Sequence, residues 1–258
     1  MLALWLAQVG SGADGVRRAV RAVEGVDEPH AVELHAVDVH GADVDGAPDA
    51  DAVRTLPELV AWWGAGSRTV AAVLPAPGDL LGLPPAVAAA ALECGECVLV
   101  ETPRGAWAAL PEVEEFGSVF ETGYLVTWHV HALQPWTTTV LGTLGTVAEA
   151  DRDLRTALLA STQALTALDV SRWRDDAAEA ISRLRGDVDP QWDLPSTTDA
   201  RRLRVLVLAA RLRGVVEIAT ADDGGAVNLW QADQRSTALR EIDHAARRAM
   251  AAATLAQA

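Results

Sequence analysis

TVAAVLPAPGDLLGLPPAVAAAALECGECVLVET, residues 69–102, decides the fold. Val70 to Leu74 is a short apolar run ending at Pro75, as expected of a strand buried on both faces. Pro75, Pro77 and Gly78 break it into a loop. Pro84 and Pro85 suit the first turn of a helix, where a missing N–H costs nothing. That helix should run to Cys94, with Gly95 as its left-handed cap, and Cys97 to Val100 should be a second strand. A strand, a helix and a strand so close together predict a parallel pair with a right-handed crossover.

Before this unit, residues 1–9 fit a strand or a short helix equally well. Val16, Ala19, Val20 and Val23 have helical spacing. His30 to Val39 alternates, with Val32 and Leu34 on one face and Glu33 and His35 on the other. Residues 40–51 are an acidic loop, and Val53 to Trp63 is helical, starting as late as Pro57. After the unit, TPRGAWAALPEVEEFG (102–117) reads as a loop. Val119 to Leu133 is a long strand. Val126, Trp128 and Val130 share one face, Thr127, His129 and His131 the other, and a bend or bulge is expected at Gly123.

Near residue 146 the period changes from two to 3.6. Thr146 and Glu149 have capping-box spacing, and Leu154, Leu158, Leu165 and Leu168 form one helical face. A second helix is expected over 172–185, with Trp173, Ala177, Ile181 and Leu184 inward. A third, 200–220, is capped by Ser196 or Thr198 and is apolar enough to be central. Gly224 and Gly225 turn the chain, and Asn228 caps a last helix striped by Leu239, Ile242, Ala246 and Met250. The expected fold class is α+β: an α/β-like half with a mixed sheet over 1–145 and an all-helical bundle over 146–258.

VLPAPGDLLGLPP with AALECGECVLVE, and LRGVVEIATADDGGAVN before an Arg/Ala-rich final helix, resemble a conserved actinobacterial protein family of unknown function. The resemblance covers the middle of the first half and most of the second. It implies a bacterial cytosolic protein and no particular chemistry.

Composition excludes more than it assigns. Half of the 258 residues are hydrophobic and 22% are charged, so the chain folds around a real core. The formal charge of −15 repels nucleic acid and anionic membrane, and neither is expected as a partner. All 21 basic residues are arginines. Without lysine there is no Schiff-base chemistry, no P-loop of the usual form and no kinase strand lysine. The start, MLALWLAQVGSG, has no basic residue ahead of its apolar run, and two cysteines make no disulfide framework, so a cytoplasmic location is expected.

Candidate site residues are weighed against plainer roles. Cys94 and Cys97 fall at a helix C-terminus and in a strand, where thiolates are disfavoured, unlike a redox CxxC. His129 and His131 share a strand face as two metal ligands would, with His35, Glu121 or Asp79 available as a third. Two histidines on a solvated face are the plainer reading, so no metal and no cofactor is assigned. Asp79 follows a buried strand, where open α/β sheets place ligands, but an Asx turn also explains it. Glu217 lies in an apolar helix, paired with Arg213 or buried in a cleft. Trp62, Trp63, Trp107, Trp128 and Trp136 line a pocket or a protein interface, or else fill the core.

The leading expectation is an interaction or regulatory protein whose helical half meets a protein partner or a second copy. The alternative is an enzyme or small-molecule binder, with a pocket between the halves formed by Asp79, Arg104, Trp107, Trp128, His129 and His131.

Overall fold

The computed structural model describes residues 1–10, 12–26, 28–35, 53–118, 121–167, 192–220 and 229–258. The fold is α+β. Its strands are β1 (Ala31–His35), β2 (Thr69–Val73), β3 (Cys97–Thr102), β4 (Gly105–Ser118), β5 (Glu121–Leu133) and β6 (Ala256–Gln257). They form one mixed sheet in the order β1-β5-β4-β3-β2-β6, with β1 parallel to β5 and the other pairs antiparallel. The helices are α1 (Leu2–Leu6), α2 (Ala13–Glu24), α3 (Leu56–Trp63), α4 (Pro85–Cys94), α5 (Thr137–Leu144), α6 (Val147–Ala167), α7 (Ala200–Thr220) and α8 (Leu229–Thr254). Two compact units emerge: Met1–Thr143 with Trp192–Thr198 and Thr254–Ala258, and Leu144–Gln191 with Asp199–Ala253. Among the described residues no helix is long and apolar enough to cross a membrane.

The central stretch has the expected elements, and Gly95 takes the left-handed cap at φ 74°. Its strand pairing is different: β2 and β3 are antiparallel, with Val73 opposite Cys97. The excursion through residues 74–96 therefore begins and ends at the same end of the sheet. A ten-residue helix advances about 15 Å. The loop 74–84 must cancel that advance, a return that the crossover reading left to the helix alone.

Residues 105–118 form β4, not the expected loop. Proline is disfavoured inside a strand, and β4 carries Pro111, but β3 pairs with β4 only as far as Ala109. Beyond that point Pro111 lies where, among the described residues, no strand flanks β4 on that side, so its missing N–H breaks no ladder. The β4–β5 register runs unbroken from Ser118↔Glu121 to Ala106↔Leu133, so Gly123 makes no bulge. It makes room instead for the Phe116 ring: a Cβ there would stand 2.6 Å from Phe116 Cζ.

One sheet face carries the core of the first unit. Val32, Val70, Val100, Trp107, Trp128 and Val130 pack there with Leu6, Leu56, Val60 and Trp63. The short N-terminal segment is helix, and α3 starts at Leu56 behind a Thr55–Glu58 capping box. Trp62 meets Trp107 edge-on at 4.8 Å, and Trp63, Trp107, Trp128 and Trp136 are buried, so these rings supply core volume. Glu101 Oε2 accepts hydrogen bonds from the Trp136 and Thr137 N–H groups, anchoring the start of α5 on β3.

In the second unit Thr146 and Glu149 form the expected capping box. Asp199 caps α7, accepting from the N–H groups of Arg201 and Arg202, while Thr198 donates back to Pro195. A charged acceptor one residue before the helix displaced the hydroxyl caps expected from sequence. Leu239 and Ile242 of α8 pack on Val216 and Ala219 of α7. Glu217 is exposed, neither buried nor salt-bridged to Arg213, which faces Asp243 at 3.6 Å. The acidic loop 40–51, the helix 172–185, Leu168, the Gly224–Gly225 turn, the Asn228 cap and the Leu165 side chain lie outside the described residues.

Arg68 is buried and donates to four carbonyls, those of Leu6, Val9, Gly64 and Gly66. Replacing Arg68 with Met leaves those buried acceptors without a donor, and is expected to lower unfolding free energy by about 3 kcal/mol or more. Arg68→Lys should recover only part of it, because one ammonium cannot reproduce the fork. Urea midpoints of the three proteins check this; an unchanged midpoint for Arg68→Met would remove Arg68 from the core argument.

Candidate metal centre

The site begins with strand alternation. Along β5, Trp128 and Val130 point into the core, so His129 and His131 point to the opposite face. On that face α4 contributes Ala90, Glu93 and Cys94 to one wall of a cleft of about 520 Å³, whose floor includes Leu110, Glu112, His129 and His131. The parallel pairing of β1 places Glu33 opposite His129 and His35 opposite His131.

These residues converge. His35 Nε2 lies 2.8 Å from His129 Nδ1, and Glu33 Oε2 lies 3.5 Å from the same nitrogen. The ligand atoms of Glu33, His35 and His129 all lie within 4.8 Å of one another. On the other side of the ring, His129 Nε2 is 2.7 Å from Glu112 Oε2. A carboxylate only accepts, so the closer Glu112 draws a proton to Nε2, while Nδ1 is turned toward His35 and Glu33. His131 stacks on His35, centroids 4.6 Å apart and planes 8° from parallel. Burial, with His35 and His129 nearby, holds the His131 pKa below the ordinary histidine value.

The CGEC thiols lie on the elements expected of them. Cys94 is exposed at the end of α4, and Cys97 is buried in β3. Partial desolvation against the end of α4 pushes the Cys94 thiol up, helped by Glu112, Glu93 and Glu96. Cys97 is pushed up further, mainly by burial.

Of the six residues expected at a pocket, the structure brings together His129 and His131. His35, weighed in the sequence as a third ligand, joins them. Trp107 and Trp128 belong to the core on the opposite face, where Trp128 Nε1–H donates to His30 Nδ1 at 3.2 Å. Asp79 closes a tight turn, bonded through its backbone to Ala76 in both directions, and its carboxylate accepts from the Leu81 N–H. Arg104 is exposed and donates to the Ala65 carbonyl. The Glu121 side chain lies outside the described residues. Sequence reasoning missed Glu33 and Glu112. Glu33 was legible as the residue two before His35 on the same strand face. Glu112 was hidden when 102–117 was read as loop.

This is a two-unit α+β protein with a histidine–carboxylate cluster on one face of its sheet. The chain belongs to the Rv1486c-like family, whose N-terminal domain matches residues 1–141 and whose C-terminal domain matches residues 148–251. No curated protein and no solved structure matches it.

The thiol environments predict an order of reactivity. At pH 7.5 iodoacetamide should alkylate Cys94 more slowly than free cysteine, and Cys97 only after unfolding. Peptide mapping by mass spectrometry reads both; modification of Cys97 in the native protein would contradict its burial.

Proposed function

We propose that the protein binds a divalent transition-metal ion, zinc by its ligand chemistry, through Glu33, His35 and His129. The observation that carries this is the Glu112–His129 contact. A carboxylate on the far nitrogen of a ligating imidazole fixes its tautomer and raises its basicity, as second-shell partners do in metal sites. Two imidazoles and a carboxylate suit zinc, and three protein ligands leave a coordination position for water or substrate. Tetrahedral zinc needs ligand atoms about 3.3 Å apart. The 3.5 Å Glu33–His129 separation is near this, and the 2.8 Å His35–His129 pair would need to open slightly for an ion to replace their contact. His35 would then hold the ion through Nε2 and keep its proton on Nδ1.

The open position gives substance to the enzyme or small-molecule reading, with the cleft beside α4 as the space for the ligand. An interaction role is the second reading. What supports it is on the first unit: Val113, Phe116, Tyr124 and Leu125 stand exposed on the β4–β5 hairpin. We read the setting as an actinobacterial cytoplasm. The family match supports the first part, and two free thiols suit a reducing compartment.

Calorimetric titration of metal-stripped protein with zinc should show one site per chain. His35→Ala and His129→Ala should each weaken it about 100-fold or more. Glu112→Gln should weaken it about 10–100-fold while leaving the stoichiometry at one. Undiminished binding by the His129 variant would sink the proposal.

A further inference from the structure

The far half of the β4–β5 hairpin stands apart from the sheet. β3 pairs with β4 up to Ala109, and β1 pairs with β5 from Thr127. Residues 110–118 and 121–126 therefore form a ribbon with, among the described residues, no strand on either outer edge. A two-stranded ribbon is marginal alone in water. This one also exposes four large apolar side chains: Val113 at 56%, Phe116 and Leu125 at 45%, and Tyr124 at 41%.

Its charge says what fits. Residues 105–133 contain no arginine, while Glu112, Glu114 and Glu115 are exposed along β4. A second copy laid edge to edge would bring glutamate rows together on chains of formal charge −15. Like charges on adjacent strands repel, and such edge charges are how sheets refuse self-association. A strand carrying arginines and apolar residues on both of its faces meets no such barrier. Glu112 and Glu114 share one face of the ribbon with Phe116 and Leu125, and Glu115 shares the other with Val113 and Tyr124. Such a strand would extend the ladder, set its cations beside the glutamates and cover the exposed apolar residues on each face.

We propose that the ribbon is a docking edge for an extended basic segment of a partner protein, added as a further strand. This deepens the interaction reading and does not depend on the ion.

The probe is an eight-residue peptide, Arg-Arg-Val-Val repeated twice so that each face carries both kinds of side chain, capped at both ends and fluorescently labelled. Its control has the same sequence with alternate backbone nitrogens methylated, so the charge is kept and the strand hydrogen bonds are lost. Fluorescence anisotropy should show the control binding at least about tenfold more weakly. Glu114→Gln with Glu115→Gln should weaken the parent peptide about tenfold, while Asp233→Asn with Glu241→Gln leaves it unchanged. His35→Ala with His129→Ala should also leave it unchanged, which separates this surface from the metal centre. Equal affinity for both peptides would reduce the contact to bulk electrostatics and overturn the proposal. So would a dimer in light scattering that excludes the peptide and is broken by Phe116→Ser; the occupant would then be a second copy and the interaction reading would survive alone.

Discussion

The first unit depends on one buried cation. Arg68 lies just before β2 and spends its guanidinium on backbone carbonyls rather than on a carboxylate. Leu6 ends α1 and Gly64 caps α3, so two of these carbonyls are helix C-terminal groups with no partner of their own. Helix C-termini carry partial negative charge, which the guanidinium meets without a counter-ion. The backbone of Arg68 meanwhile pairs with Ala258 in both directions. One residue thus joins two helices, β2 and Ala258. The absence of lysine makes this less surprising: a buried cation in this chain is always a five-donor fork.

The strand alternation that buries the tryptophans also creates the site. Trp107 and Trp128 fill the core face, where α1, α2 and α3 supply partners. The opposite face is walled by α4 along β4, which leaves space over the end of β5 next to β1. Histidines and glutamates there stay in contact with water and with one another. Stability and candidate chemistry are therefore carried by alternate residues of the same strands, and can be probed separately.

Much of this was legible. The 3.6 period found α2, α3, α6 and α8 but not α5, and the two-residue period of β1 and β5 assigned their faces correctly. His129 and His131 were visible as a same-face pair for that reason. Two things were not legible. The first is direction: Val70–Val73 and Cys97–Val100 read alike in either orientation, and only the loop 74–84 decides it. The second is context: Pro111 and three glutamates look like loop until β5 is laid beside them. Asp79, Arg104 and the tryptophans do not line the histidine cleft, because side-chain direction, rather than nearness in sequence, decides which residues meet.

The least legible link is also the one on which the cluster depends. β1 and β5 are separated by most of the first unit, and nothing local specifies their register. Val32 and Leu34 must face the core, and that requirement fixes which face of β1 carries Glu33 and His35. A slip of one residue against β5 would bury those two and expose the apolar pair, a cost paid on every position at once. A slip of two would keep the faces but move His35 away from His131. Packing of Val32 against the core therefore excludes the first error. The stack of His35 on His131 and the Glu33–His129 contact act against the second. An ion bridging β1 and β5 would reinforce the same register, so the groups that hold the metal would also hold the sheet edge that presents them.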